Sequence, residues 1–99
     1  IVKDNMFPVP PLFKLIQEQS GTPWEEMYKV FNMGHRMEIY VGEEIADDII
    51  AISKSFNIDA QIVGRCYDND EGKGNKLTII SELGKFIYWT VGLILKTYI

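Results

Sequence analysis

The residues best suited to chemistry lie together in Phe31-Asn32-Met33-Gly34-His35-Arg36-Met37. Asn32 carries an amide that both donates and accepts, and Gly34 lets a ligand approach the backbone closely. His35 and Arg36 could contact a phosphate. The bland alternative is a helix C-cap with Asn or Gly left-handed, followed by a strand-end histidine facing solvent. Both readings of Asn32, Gly34, His35 and Arg36 stay open at this level. His35 is the only histidine, so no histidine pair can hold a metal.

Other clusters are weaker. Residues 68–72, Asp-Asn-Asp-Glu-Gly, tempt one toward a calcium loop, but the glycine comes early and the twelfth position falls on Ile79. Residues 72–76, Gly-Lys-Gly-Asn-Lys, lack the spacing of a phosphate-binding loop. Glu43-Glu44-x-x-Asp47-Asp48 could in principle act as an acid/base pair, but it reads as the solvated face of a helix. Cys66 sits in an apolar run and reads as a small buried hydrophobe.

The elements that must position these residues follow from periodicity. Pro11 opens a helix with Leu12, Leu15 and Ile16 on its apolar face, and Ser20-Gly21 stops it. Trp24, Met27, Tyr28 and Phe31 form the stripe of a second helix, for which Thr22 is the expected N-cap and Glu25 the partner in a capping box. From Arg36 to Val41 the period switches to two and predicts a strand. A third helix begins at Gly42-Glu43-Glu44, buries Ile45, Ile49, Ile52 and Phe56, and ends at Asn57. Residues 59–67 read as a covered strand, 68–75 as a polar hairpin loop, and 77–81 and 85–89 as two strands joined around Gly84. Residues 1–6 read as an edge strand or a severed one. Together these elements predict an α+β fold, a mixed or antiparallel sheet with helices packed on it.

Ninety-nine residues allow one modest domain. A net charge of −4, without basic clusters, argues against nucleic acid or an anionic membrane as partner. The lone cysteine excludes an internal disulfide and fits a reducing compartment. No apolar run approaches the roughly 20 residues of a spanning helix. The first residue is Ile, and the chain is expected to be a piece of a longer polypeptide. The tail, residues 90–99, is apolar and is expected to extend the last strand or to cover surface.

Val9-Pro10-Pro11-Leu12-Phe13-Lys14-Leu15-Ile16-Gln17-Glu18, then Glu26-Met27-Tyr28, then Phe31-Asn32-Met33-Gly34-x-x-Met37, resembles the C-terminal domain of aminoimidazole ribonucleotide synthase, also called phosphoribosylformylglycinamidine cyclo-ligase. The resemblance runs from about Val2 to about Tyr88, and the ordered set is more specific than any one motif. It implies a three-layer, partly ferredoxin-like α+β domain belonging to a cytoplasmic, homodimeric enzyme. That enzyme uses ATP and magnesium to close the imidazole ring of purine synthesis on a nucleotide substrate. It also implies that residues 1–99 are an incomplete C-terminal domain, inactive alone, with the nucleotide-binding N-terminal domain absent and no cofactor or metal site of its own. Asn32, Gly34, His35 and Arg36 become candidates for the substrate cleft. The pattern departs from the family at His35-Arg36, where relatives carry an apolar residue and a second glycine; a charged contact at Arg36 would replace close backbone approach. Selenophosphate synthase, thiamine-phosphate kinase and hydrogenase maturation factors share the implied fold, but the Pro-Pro-Leu-Phe-Lys-Leu-Ile stretch argues against them. A stand-alone α+β module that binds a small ligand is the alternative from another class.

Overall fold

Proline has no N–H to leave unsatisfied in a first helical turn, and α1 (Pro11–Ser20) begins on one. Gly21, left-handed at φ 67°, closes it by donating its N–H to the Gln17 carbonyl at 2.8 Å. These are the bounds expected from the sequence. The computed structural model describes residues 1–69 and 74–90.

Helix α2 (Trp24–Val30) carries Glu25 and Glu26 in its first turn and Lys29 in its last, each sign matching the helix dipole. Its expected capping box does not form. Pro23 is itself extended, at φ −59° and ψ 144°, so the helix starts one residue late. Thr22 is then too far back to serve the unpaired N–H groups, and its hydroxyl pairs with Ser20 Oγ at 2.8 Å. Helix α3 (Glu43–Ser55) starts after Gly42, and Asn57 behind it is left-handed at φ 58°, as expected of a terminator.

Among the described residues the sheet has four strands, β1 (Val2–Lys3), β2 (Gly64–Arg65), β3 (Asn75–Ser81) and β4 (Gly84–Thr90), in the order β2-β1-β3-β4. Strand β1 runs antiparallel to β2 and parallel to β3, and β3 and β4 form an antiparallel hairpin closed by Ser81 opposite Gly84. This is a mixed sheet with three helices, the α+β class read from the sequence, and the β3–β4 hairpin lies where it was expected.

Three strand expectations are corrected. Residues 1–6 supply an interior strand and not an edge, since β1 pairs on both sides. Residues 59–67 contribute only Gly64–Arg65 to the ladder, and Ile62, Cys66 and Tyr67 are exposed. Gly64 allows the contact: a Cβ there would lie 2.0 Å from the Val2 carbonyl oxygen. The ladder stops beside it because the N–H groups of Asp4 and Asn5 both converge on the Val63 carbonyl, at 3.1 and 3.0 Å. Because β1 separates β2 from β3, the connection between those strands is no hairpin loop; its residues 70–73, and residues 91–99 of the tail, lie outside the described residues. Third, residues 36–41 form no strand. They alternate as a strand should, but no neighbour among the described residues offers them a ladder, and Met37, Ile39 and Val41 are exposed.

The core joins Val9, Tyr28, Met33 and Ile79, with Phe13, Trp24, Phe31, Leu77 and Phe86 among the side chains packed against it. Phe13 meets Phe31 at 5.8 Å between ring centroids, and Tyr28 meets Phe86 at 5.5 Å. Two phenols tie α2 to the hairpin: Tyr28 donates to Ser81 Oγ at 3.0 Å, and Tyr88 donates to the Glu25 carbonyl. Partial burial pushes the Tyr88 phenol up to about 12. Helix α3 contributes no buried residue. Ile45, Ile52 and Phe56 of its expected core face are exposed, Phe56 by 72%, because the core is already closed by α1, α2 and the hairpin.

Met27 is 0% exposed and Val30, one turn on, is 63% exposed. In a denaturant titration Met27→Ala should therefore cost about 2–5 kcal/mol and Val30→Ala within about 0.5 kcal/mol. Equal losses at the two positions would contradict this placement of α2.

Candidate functional site

Helix α2 ends when Phe31 turns extended, at φ −108° and ψ 149°. The chain then reverses in a four-residue turn. The Asn32 carbonyl accepts the His35 N–H at 3.0 Å, and Asn32 Oδ1 accepts the Gly34 N–H at 2.9 Å. The two central residues have positive φ, 54° at Met33 and 89° at Gly34. The left-handed conformation thus falls on Met33 and Gly34, and Asn32 works as the side-chain brace of the turn.

A methionine in this conformation is uncommon and costs of order 1–2 kcal/mol. The compensation is burial: Met33 is 2% exposed and lies in the core cluster with Val9, Tyr28 and Ile79. Gly34 is required for a second reason besides its φ. A Cβ there would stand 2.8 Å from Pro10 Cγ. The proline-rich lead and the Asn-x-Gly motif, distant in sequence, are therefore in contact, and each fixes the other.

The turn also decides where the neighbouring candidates go. His35 does not face solvent as expected. It is half-buried, with its ring edge-on to Phe7 at 5.3 Å between centroids and 69° between planes. Its Nε2 is buried without a hydrogen-bond partner among the described residues. Burial lowers its pKa, with Lys3 acting in the same direction and Glu38 opposing. Asn32 and Arg36 are exposed. Close by in sequence, Lys3 Nζ donates to Glu38 Oε1 at 2.6 Å, in a pair whose side chains are only 14% and 13% exposed. Glu38 Oε2 accepts from the Tyr40 hydroxyl at 3.2 Å.

A half-open cavity of about 300 Å³ is lined by Asp4, Asn5, Phe7, Tyr28, Ser81 and Glu82, with Met6, Pro8, Val9 and Ile80. It offers carboxylates, an amide and aromatic faces to a small ligand. Asn32, Gly34, His35 and Arg36 do not line it; Phe7 links the two places, since it lines the cavity and packs on His35, and Val9 and Tyr28 of its wall share the core cluster with Met33. No local motif announces this cavity, because its walls come from residues 4–9, α2 and the β3–β4 turn.

The remaining sequence candidates separate from the site. Glu43, Glu44, Asp47 and Asp48 are all exposed, as the solvated reading had it. Cys66 is an exposed free thiol, not a buried hydrophobe, because its segment lies outside the ladder. Among the described residues no group of three or more His, Cys, Asp or Glu could hold a metal ion, and no helix is long and apolar enough to cross a membrane.

The fold defines the class as an α+β domain, and sequence comparison finds relatives of which it resembles one part. The chain is 43% identical over 74 residues to a phosphoribosylformylglycinamidine cyclo-ligase of Methanocaldococcus jannaschii, covering 75% of this chain and 21% of the relative. It is 41% identical over 81 residues to that of Methanococcus vannielii, covering 80% and 23%, and 42% identical over 74 residues to that of Methanopyrus kandleri, covering 74% and 20%. The chain is similar to one segment of each of these cyclo-ligases, and spans about a fifth of their length. No family model matches the chain, and no solved structure matches it.

The geometry orders two substitutions. Asn32→Ala removes one exposed side-chain bond and should cost about 1 kcal/mol. Gly34→Ala meets both a positive φ and Pro10, and should cost at least about 2 kcal/mol. Thermal unfolding of both variants reads the order, and a Gly34→Ala protein as stable as Asn32→Ala would contradict the Pro10 contact.

Proposed function

We propose that this chain is part of the C-terminal domain of an ATP-dependent cyclo-ligase that converts formylglycinamidine ribonucleotide to aminoimidazole ribonucleotide in purine biosynthesis. The observation that carries the reading is the identity above 40% over three quarters of the chain to cyclo-ligases from three organisms. In this reaction ATP phosphorylates the formyl-amide oxygen, an amidine nitrogen attacks that carbon, and phosphate leaves as the ring closes.

In this reading residues 1–99 form one incomplete domain, and an N-terminal domain of the same polypeptide binds ATP with magnesium. The described residues supply no acidic cluster for the metal, so no step of phosphoryl transfer is assigned to them. Their part is to shape the substrate cleft of a cytoplasmic homodimer. Asn32, on the exposed side of a turn fixed by Pro10 and Met33, presents an amide edge, with Arg36 a cation nearby. The exposed apolar side chains of 37–41 and α3 support the presence of further polypeptide against them. Residues 36–41 would then join a larger, partly ferredoxin-like sheet by gaining the ladder partner their alternation calls for. Cyclo-ligase relatives do not favour the alternative of a stand-alone small-ligand module.

The test is a chimaera in which this chain replaces the matching segment of the Methanocaldococcus jannaschii relative. Folded chimaera should release ADP and phosphate in the presence of formylglycinamidine ribonucleotide. Within it, Asn32→Ala should lower kcat/KM by about tenfold or more, or about 1.4 kcal/mol in the transition state. Full activity of folded Asn32→Ala protein would return the turn to a purely structural role. A well-folded but inactive chimaera would overturn the assignment. Calorimetry of the isolated chain with Mg-ATP should show no micromolar binding.

A further inference from the structure

We propose that His35, Glu38 and Lys3 form an acid-sensitive latch, which holds the Asn32–His35 turn on Phe7 and the segment after it on β1 while the imidazole is neutral, and loosens this joint when the imidazole takes up a proton. The proposal concerns how the turn is docked and holds whether or not the turn lines a substrate cleft.

The geometry makes neutral His35 acceptable and protonated His35 costly. With the proton on Nδ1, the buried Nε2 presents only a lone pair toward Phe7 and its surroundings. On protonation Nε2 becomes a charged donor with no acceptor, and an unpaired buried charge is among the more destabilising groups a fold can carry. The groups whose charge reaches His35 are Glu38, in the segment that follows the turn, and Lys3, on β1. Glu38 is the natural acceptor, but its carboxylate is held in place by Lys3 Nζ on Oε1 at 2.6 Å and the Tyr40 hydroxyl on Oε2 at 3.2 Å, so turning it toward the imidazolium disturbs those bonds.

Protonation therefore leaves two routes. Either the imidazolium stays buried and unpaired, or Glu38 swings toward it and gives up Lys3. The first route strains the turn against Phe7, and the second breaks the ion pair that ties the segment to β1. Both loosen the same joint. The sign follows from linkage. A base whose pKa is lower folded than unfolded leaves the unfolded state holding more protons, so stability falls as pH drops from 6.5 toward the folded pKa and is level above 6.5.

His35 is the only histidine of the chain, so its Cε1–H resonance can be followed without ambiguity. Its NMR titration should have a midpoint below the ordinary 6.5. Through that window the hydrogen-exchange protection of the Gly34 and His35 amides, corrected for intrinsic rate, should fall by up to about tenfold per pH unit. Lys3→Met should raise the midpoint and Glu38→Gln should lower it. His35→Phe should keep protection flat with pH; should that variant fail to fold, the opposite shifts in the Lys3 and Glu38 variants carry the test. A midpoint at or above 6.5, protection that ignores the titration, or midpoint shifts of the wrong sign would overturn the latch.

Discussion

Burial of Met33 is the constraint on which the rest of the described structure depends. Placing a methionine left-handed is unfavourable by itself, and only a site that removes the side chain from water offsets it. That site is made by Val9 from the proline-rich lead, Tyr28 from α2 and Ile79 from β3. Once Met33 is inserted, Gly34 is pressed onto Pro10 and His35 is turned onto Phe7. One buried side chain thus sets the positions of two neighbours and connects the lead, the second helix and the sheet.

The same insertion explains why the motifs that resemble the cyclo-ligases occur together. A Pro-Pro stretch and an Asn-x-Gly turn more than 20 residues apart are two sides of one contact, so a change in either disturbs both. This structural coupling does not compete with a role in a substrate cleft. A turn braced from beneath by Met33 and Pro10 can hold the Asn32 amide in a fixed direction, which a binding group requires. The neighbouring segment behaves differently. Residues 37–62 display Met37, Ile39, Ile45, Ile52, Phe56, Ile58 and Ile62 to solvent, and the largely buried Lys3–Glu38 pair holds this segment to β1.

What the sequence by itself determined is what short-range physics encodes. Proline at a first turn, glycine after a last one, and a stripe at helical spacing placed α1, α2 and α3, and the two-residue turn placed the β3–β4 hairpin. The class of fold and the family resemblance were legible for the same reason, since both rest on ordered local patterns. Tertiary structure alone decided which strands pair, because alternation names a strand's two faces and says nothing of its neighbours. It made β1 an interior strand, left 36–41 without a ladder and reduced 59–67 to two paired residues. It made Met33 left-handed beside the expected Gly34, and it turned His35 from solvent onto Phe7. In each of these cases the deciding energy came from a partner distant along the chain, and local sequence carries no record of such a partner.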